Sequence, residues 1–164
     1  MIDKRKRQIT SQIGSLQIEA HDTFITSIKF IDENQGIIPD NDSNSEVLDK
    51  CMHELKEYFE GSRKSFTVSF IPSGTDFEKE VWMELVKIPF GQTISYEQLA
   101  IRLGDINKIR AAARANGKNP IPILIPCHRV IGKDGSLVGF SGGLHRKEWL
   151  LSHEGAIGRQ SSIF

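Results

Sequence analysis

The sequence predicts an α/β protein in two parts: a small N-terminal α/β domain, residues 1–75, and a mainly helical domain, residues 76–164, that contains a helix-turn-helix. Three observations lead to this fold class. Residues near the start alternate between apolar and polar, as in strands. Residues 46–60 have apolar side chains at helical spacing. Residues 71–74, Ile-Pro-Ser-Gly, separate this part from a second series of helical patterns.

The N-terminal part is predicted to contain strands, one helix and a loop. Residues 15–21 and 24–31 alternate, and His-Asp-Thr between them suits a hairpin turn. Residues 35–45 are rich in Asp, Asn and Ser, which indicates a loop. The helix over 46–60 ends at Gly61, because glycine readily adopts the left-handed conformation that closes helices. Residues 66–70 alternate again, which predicts a further strand.

The second part is predicted to be mainly helical. Thr75-Asp-Phe-Glu78 is a capping-box pattern that opens a helix. A short helix from Ser95, a turn at residues 104–105 and a helix over 107–116 follow in helix-turn-helix order. Asp134-Gly135 lies between two apolar pairs and predicts a β-hairpin. Residues 144–153 form the last predicted helix, and Trp82 and Trp149 are assigned to the core.

Charge and composition limit the possible functions. The net charge is zero, yet residues 77–164 hold 12 basic and 8 acidic side chains, a net of +4. The region around the third helix of this part carries basic residues with no acidic ones, which suits contact with phosphates; they are Lys108, Arg110, Arg114, Lys118 and Arg129. The sequence has no apolar run near the roughly 18–20 residues of a membrane span, and its start does not resemble a secretory signal. We therefore expect a cytoplasmic protein with reduced thiols.

Cys127 is the candidate reactive group. It lies in the segment Ile-Leu-Ile-Pro-Cys-His-Arg-Val, residues 123–130. A free thiol is mostly protonated near neutral pH, and a neighbouring base or cation, here His128 or Arg129, favours the reactive thiolate. A small buried core residue is the alternative interpretation for a free cysteine. Cys51 lies on the apolar face of its predicted helix and is assigned a structural role.

The motif Pro126-Cys-His-Arg-Val130 resembles the active-site motif of the O6-alkylguanine-DNA alkyltransferases. Other segments match this family in order and spacing, from about Phe77 to Gly155; they are residues 94–100, Asn119-Pro120 with Pro122, residues 141–143, residues 147–151 and residues 153–155. The resemblance implies a ribonuclease-H-like N-terminal domain and a winged helix-turn-helix domain. It also implies direct reversal of O6-alkylguanine, with O4-alkylthymine as a second candidate substrate, in a single irreversible transfer.

The resemblance implies a role for each site residue. Cys127 would be the nucleophile, His128 its base through a water, and Glu154 the residue that orients the imidazole. Tyr96 would donate a proton to the leaving guanine, and Asn119 would bridge the helix-turn-helix to the cysteine loop. The substrate pocket would be lined by six residues: Tyr96, Pro122, Val130, Phe140, Ser141 and Gly142. Backbone amides near Ser141 would donate hydrogen bonds to the O6 atom.

The alkyl carbon is inaccessible in stacked DNA, so the resemblance implies that the nucleotide flips out of the duplex. Arg110 would fill the vacated space, on a helix that enters the minor groove, where sequence is read poorly. The other residues expected at the DNA are Ala111, Ala112, Arg114, Lys118, Ser95 and Arg129. The partner implied is double-stranded DNA containing O6-alkylguanine, bound by a monomer.

One position departs from the family. Phe140 stands where many members have a tyrosine, which puts the range and speed of alkyl transfer in doubt. The chemistry requires no cofactor, and Cys51 with His53 does not make a structural zinc site, so we expect no metal.

Three other functions remain open. A recognition module related to this family lacks the cysteine that is present here. A helix-turn-helix regulator would need base-reading side chains on its third helix, which is alanine-rich instead. A Cys-His hydrolase would turn over repeatedly, unlike a protein that accepts one alkyl group.

Overall fold

The computed structural model describes residues 4–31 and 45–157. The chain divides into two compact units, one ending at Ser73 and the other beginning at Gly74. The first unit contains β1 (Lys4–Ser11), β2 (Gly14–His21), β3 (Phe24–Ile31) and α1 (Glu46–Glu60). The second contains α2 (Asp76–Val86), β4 (Ile94–Ser95), α3 (Tyr96–Arg102), α4 (Ile109–Gly117), β5 (Val130–Ile131) and α5 (Leu144–His153).

The first unit is a three-stranded antiparallel sheet with α1 against it. The strands lie in the order β1-β2-β3, and β2 contributes Leu16, Ile18 and Ala20 to the core. Helix α1 begins at Ser45, whose side chain accepts from the Leu48 amide, and ends at Gly61 with φ +91°. It buries the stripe that its spacing predicts, and Cys51 lies in the core within that stripe.

A buried carboxylate holds the end of the first unit in place. Glu54 on α1 accepts hydrogen bonds from the amides of Thr67 and Val68 at 2.9 and 3.1 Å, and from the Thr67 hydroxyl. Burial acts to raise the pKa of Glu54, but these hydrogen bonds and the charge of Arg63 lower it. The ionised side chain therefore fixes the segment after α1 to the helix.

The second unit is built around the predicted helix-turn-helix. Thr75 and Glu78 form a complete capping box on α2, and Ser95 and Gln98 form another on α3. A turn and a short 3-10 helix, Ile106–Lys108, lead from α3 into α4. Trp82 of α2 is buried and donates its indole N–H to the Ala115 carbonyl of α4 at 2.9 Å. This bond, with the core around it, fixes α4 against α2.

Two predicted β features are wrong. Residues 66–70 form only an isolated bridge between Phe70 and Ile25, because Glu54 binds the amides that a strand would use. Asp134-Gly135 does lie in a tight turn, with the Gly132 amide bonded to the Ser136 carbonyl at 2.8 Å. No hairpin forms there, however, because residues 137–138 form no strand, and β5 pairs in parallel with β4.

The sequence analysis did not predict β1, because its charged residues obscure the alternation. It also assigned Trp149 to the core. Trp149 is only half-buried and stacks on His153, with ring centroids 4.6 Å apart. The helices predicted over 46–60 and 144–153 are confirmed. The loop predicted at residues 35–45 lies outside the described residues except for Ser45.

Candidate active site

Asn119 shapes the turn that precedes Cys127. Its side-chain oxygen accepts from the Ile121 amide at 3.0 Å, and its side-chain nitrogen donates to the Ile125 carbonyl at 2.7 Å. Between these anchors Ile123 has φ +77°, which is strained for a β-branched residue. The Cys127 amide then donates to the Ile125 carbonyl at 2.8 Å. Asn119 therefore holds a strained turn that ends directly at the cysteine.

Cys127 begins a single 3-10 turn, Cys127–Arg129, and is only 3% exposed. Its carbonyl accepts from the Asn116 side chain of α4 at 3.3 Å. Burial raises the pKa of the thiol to about 11, while a hydrogen bond from Asn119 and the charge of Lys147 act against this rise. The free protein thus holds a thiol, with groups around it that favour the thiolate.

The next two residues bind the same carboxylate. Nε2 of His128 lies 2.8 Å from Oε2 of Glu154. Arg129 donates to both oxygens of Glu154, from Nε at 2.8 Å and Nη2 at 2.9 Å, and to the Ile88 carbonyl at 2.6 Å. All three side chains are buried. We call them the His–Arg–Glu cluster.

Burial keeps His128 neutral, and the partners of Glu154 keep it ionised. Burial lowers the pKa of His128, and although Glu154 opposes this, the charges of Arg129 and Lys147 add to it. Burial acts to raise the pKa of Glu154, but His128 and Arg129 hold it well below its usual value. A neutral imidazole that donates Nε2–H to Glu154 leaves Nδ1 as a proton acceptor. Nδ1 is buried and has no hydrogen-bond partner within the described residues.

Tyr96 lies at the first turn of α3, and its hydroxyl donates to the Val138 carbonyl at 2.8 Å. Burial raises the pKa of this hydroxyl to about 12, negative charge at Cys127 adds to the rise, and a hydrogen bond with Asn116 opposes it. Gly139 follows with φ +69°, and a Cβ atom there would lie 2.9 Å from the Tyr96 hydroxyl. The chain can pass this close to Tyr96 because residue 139 is glycine.

Lys147 of α5 is fully buried beside these groups. Its ammonium donates to the carbonyls of Val130 and Val138, both at 2.6 Å. It also lies 5.8 Å from the centroid of the Tyr96 ring. Burial lowers the pKa of Lys147 to about 8, although negative charge at Cys127 acts to raise it.

The residues predicted to contact DNA differ in their exposure to solvent. Arg110, Arg114 and Lys118 are exposed on and after α4, and Ala111 is partly exposed. Ser95 is partly exposed and uses its hydroxyl to cap α3.

Two of these assignments need correction. Ala112 is fully buried in the core of the unit, so it serves helix packing. Arg129 is 6% exposed with its guanidinium committed to Glu154, so it is a structural partner of the cluster and does not reach a DNA phosphate.

The predicted substrate-pocket residues come from three segments of the second unit. Pro122, Val130, Phe140 and Gly142 are buried, Tyr96 is half-buried and Ser141 is exposed. Within the described ranges, no group of three or more His, Cys, Asp or Glu side chains is arranged to hold a metal ion. In the same part of the chain, no helix is long and apolar enough to cross a membrane.

Comparison with known families agrees with both units. The ribonuclease-like domain of 6-O-methylguanine DNA methyltransferase matches residues 4–72, and the DNA-binding domain of the same family matches residues 76–156. The chain belongs to this family. The resemblance inferred from the motif around Cys127 and the fold class predicted from the sequence are thereby confirmed.

Several similar proteins match this chain along nearly their whole length. A methylated-DNA–protein-cysteine methyltransferase of Methanosarcina barkeri is 40% identical over 148 residues, which cover 89% of this chain and 94% of the relative. The crystal structure of Mycobacterium tuberculosis O6-methylguanine methyltransferase has a TM-score of 0.81 at 34% identity, covering 98% of this chain and 99% of that one. The Mycobacterium tuberculosis protein in complex with DNA has a TM-score of 0.80 at 35% identity, with 92% of each chain covered.

Sequence reasoning assigned no role to three residues at the site of this methyltransferase: Asn116, Gly139 and Lys147. Lys147 could have been found, since it precedes Leu150 and Leu151 by three and four positions and so shares their buried helical face. A lysine on an apolar face is a signal of function because burying a charge is costly. Asn116 and Gly139 gave no comparable signal.

Proposed function

We propose that this methyltransferase repairs double-stranded DNA by transferring the alkyl group of O6-alkylguanine to the Sγ atom of Cys127. The observation that carries the proposal is the buried cysteine followed directly by the His–Arg–Glu cluster. A neutral imidazole with a free Nδ1 can accept the thiol proton, directly or through a water. The relatives named as methylated-DNA–protein-cysteine methyltransferases support the same reaction.

The proposed reaction is an in-line displacement. His128 takes the Cys127 proton, and the thiolate attacks the alkyl carbon. The new S–C bond forms as the C–O6 bond breaks, and the electron pair of that bond leaves on guanine. The Tyr96 hydroxyl donates a proton to the guanine base as its negative charge develops, and backbone amides near Ser141 donate hydrogen bonds to O6. His128 then releases the proton it took, and Tyr96 regains one from solvent. The products are restored guanine and an S-alkylcysteine.

The transfer is proposed to occur once per molecule. The chemistry uses a thiol and a proton acceptor, and it supplies no group that would remove an alkyl from the stable thioether. Repeated hydrolysis is therefore not expected. We further propose that the protein acts as a cytoplasmic monomer, since one chain carries both the cysteine and the helix-turn-helix.

The DNA is proposed to bind along α4 with the target nucleotide flipped out. Arg110 and Arg114 are exposed on this helix, and Lys118 follows it. Ala111 is half-exposed and small, so the DNA backbone can approach α4 closely at this position. Arg110 occupies the space left by the flipped base. Phe140, a buried phenyl ring without a hydroxyl, contributes packing at the base pocket.

Intact-protein mass tests the proposal. The protein is incubated with excess duplex DNA that contains one O6-methylguanine, beside an identical duplex with guanine. We expect a gain of one methyl group, mapped to Cys127 by peptide analysis. Cys127→Ala must remain unmodified, while Cys51→Ala should react like the parent protein.

Two results would contradict the proposal. No mass gain with retained lesion binding would indicate a recognition module. Conversion of more than one equivalent of O6-methylguanine to guanine per protein would indicate a multiple-turnover enzyme.

A further inference from the structure

Asn116 leaves one buried polar atom without a partner at the active site. The residue is 1% exposed, and its Oδ1 atom accepts no hydrogen bond within the described residues. A buried acceptor without a donor is destabilising, so proteins keep few such atoms, and each of them needs an explanation. The proposed reaction uses another such atom, Nδ1 of His128, but it gives no task to Oδ1 of Asn116.

The bonds of the amide nitrogen show where this acceptor lies. Nδ2 of Asn116 donates to the Cys127 carbonyl at 3.3 Å, and because a carbonyl can only accept, the nitrogen must face it. The Tyr96 hydroxyl gives its proton to the Val138 carbonyl, so its hydrogen bond with Asn116 also uses Nδ2 as the donor. Oδ1 is bonded to the same carbon atom as Nδ2. It therefore lies beside both the nucleophile and the tyrosine.

Tyr96 and Asn116 together present a donor next to an acceptor. In the proposed reaction the Tyr96 hydroxyl donates to the flipped base, whereas Oδ1 of Asn116 can only accept. The two side chains are in hydrogen-bond contact, so these two atoms are neighbours in the site. A base that satisfies both must carry an acceptor and an N–H donor side by side.

O6-alkylguanine carries such a pair around one carbon atom. The alkyl group on O6 removes the proton from ring nitrogen N1, so all the free ring nitrogens of the base are acceptors. The amino group on C2 is then the single N–H donor of the base. Because C2 lies between N1 and N3, this donor has a ring acceptor on each side.

We propose that Oδ1 of Asn116 accepts a hydrogen bond from the 2-amino group of the flipped base and so makes the site selective for guanine lesions. Tyr96 then donates to the ring nitrogen next to that group. Asn116 lies on α4, so the helix proposed to lie against DNA also supplies a contact to the base. The inference rests on the proposed function of Cys127. It concerns which base is accepted, and it leaves the transfer step unchanged.

The same acceptor disfavours O4-alkylthymine. An alkyl group on O4 removes the proton from N3 of thymine, and thymine has no amino group, so this lesion offers no N–H donor to Oδ1. A site built to bond an N–H group rejects an analogue that lacks it, because the buried acceptor stays unpaired. We therefore expect the protein to prefer O6-alkylguanine to O4-alkylthymine.

The first test pairs a change in the protein with the matching change in the substrate. Single-turnover transfer is measured from duplexes with O6-methylguanine or O6-methylhypoxanthine, which differ in the 2-amino group alone. We expect the parent to react about 10-fold faster with O6-methylguanine, and Asn116→Leu to lose most of this preference. Asn107→Leu, at an exposed asparagine before α4, is the matched control and should keep the parent preference.

The ratio of the two transfer rates separates recognition of the base from a purely structural role. If Asn116 only held the Cys127 carbonyl, Asn116→Leu would slow transfer from both substrates equally. The ratio would then keep its parent value, and the proposal would be overturned while the proposed function stood. If Asn116→Leu does not fold, Asn116→Ala provides the measurement, because it also removes Oδ1.

The second test needs no alkyl transfer. Cys127→Ala is titrated with duplexes that contain O6-methylguanine, O6-methylhypoxanthine or O4-methylthymine, and fluorescence anisotropy gives each Kd. We expect O6-methylguanine to bind about 10-fold more tightly than the other two, and the double variant with Asn116→Leu to lose most of this preference. The same preference in both proteins would contradict the inference. Because no alkyl group moves, the result is independent of whether the parent repairs DNA.

Discussion

Arg129 and Glu154 form a buried bidentate ion pair directly behind the imidazole of His128. The two bonds measure 2.8 and 2.9 Å, and His128 contacts the same carboxylate at 2.8 Å. The motif therefore supplies two side chains that bind one acid from the far end of α5. Arg129 neutralises Glu154, so the carboxylate can orient the imidazole without charging it.

The first prediction concerns this ion pair. Arg129→Met leaves a buried carboxylate without its main partner, so we expect unfolding free energy to fall by about 3–5 kcal/mol. Urea unfolding near pH 7.5 measures the change. Arg129→Lys should also destabilise, because lysine cannot reproduce the bidentate geometry. A loss below about 1 kcal/mol in Arg129→Met would mean that the pair adds little.

The second prediction concerns stability at acid pH. The pKa of His128 is lowered on folding, so the unfolded chain binds its proton first, and stability falls as the pH drops below about 6.5. The lowered pKa of Glu154 adds a further loss below about pH 4.5 that continues to its folded pKa. Urea midpoints between about pH 4.5 and pH 8 measure the first loss, and midpoints at lower pH measure the second. His128→Asn should flatten the part of the curve between pH 5 and pH 6.5, and an unchanged slope there would argue against a neutral buried histidine.

The third prediction concerns the turn before the nucleophile. Asn119→Ala removes both side-chain anchors of the strained turn at Ile123, so Cys127 should lose its fixed position. We expect single-turnover transfer to slow by roughly 100-fold, since small misplacements of reacting groups are costly. Asn107→Ala, at an exposed asparagine before α4, is the control. Equal transfer rates in Asn119→Ala and Asn107→Ala would show that Asn119 does not hold Cys127 in its reactive position.

The fourth prediction separates the two arginines of α4. Arg114→Ala should weaken binding to any duplex and reduce the slope of log affinity against log salt by about one unit, as expected for a phosphate contact. Arg110→Ala should lose less affinity for duplex DNA than Arg114→Ala, but it should transfer the alkyl group slowly. A mismatch opposite the lesion should restore part of its transfer rate. Fluorescence anisotropy at several salt concentrations and transfer from matched and mismatched duplexes make the comparison. Identical behaviour of the two variants would contradict separate roles.

The fifth prediction concerns the first unit. Glu54→Gln removes the charge that holds the Thr67 and Val68 amides, so we expect destabilisation of about 1.5–3 kcal/mol, as for hydrogen bonds to a charged group. Glu60→Gln, an exposed acid at the end of the same helix, is the matched control. The lowered pKa of Glu54 means that the difference between parent and Glu54→Gln should shrink as the pH falls below about 4.5. A difference that stays constant through that range would show that charge is not its basis.

Local sequence patterns determined much of the fold. The helices over 46–60 and 144–153 follow from apolar spacing, and two capping boxes follow from residues three positions apart. Strands β2 and β3 follow from alternation. Strand β1 was not predicted because its charged residues, Lys4 to Arg7, obscure the alternation. The strand predicted at 66–70 does not form because Glu54 accepts hydrogen bonds from its amides.

The family, and with it the reaction, was determined by the sequence alone, because the motif around Cys127 extends in order to Gly155. Tertiary structure decided which neighbours the motif residues meet. The 3-10 turn after Cys127 lies against the end of α5, so both His128 and Arg129 bind Glu154, and the guanidinium of Arg129 is buried there. The reach of Lys147 to Val130 and Val138 depends on how α5 packs against the turn at residues 132–136. No local pattern encodes that contact, because it joins carbonyls, which every residue has, to a lysine many positions away.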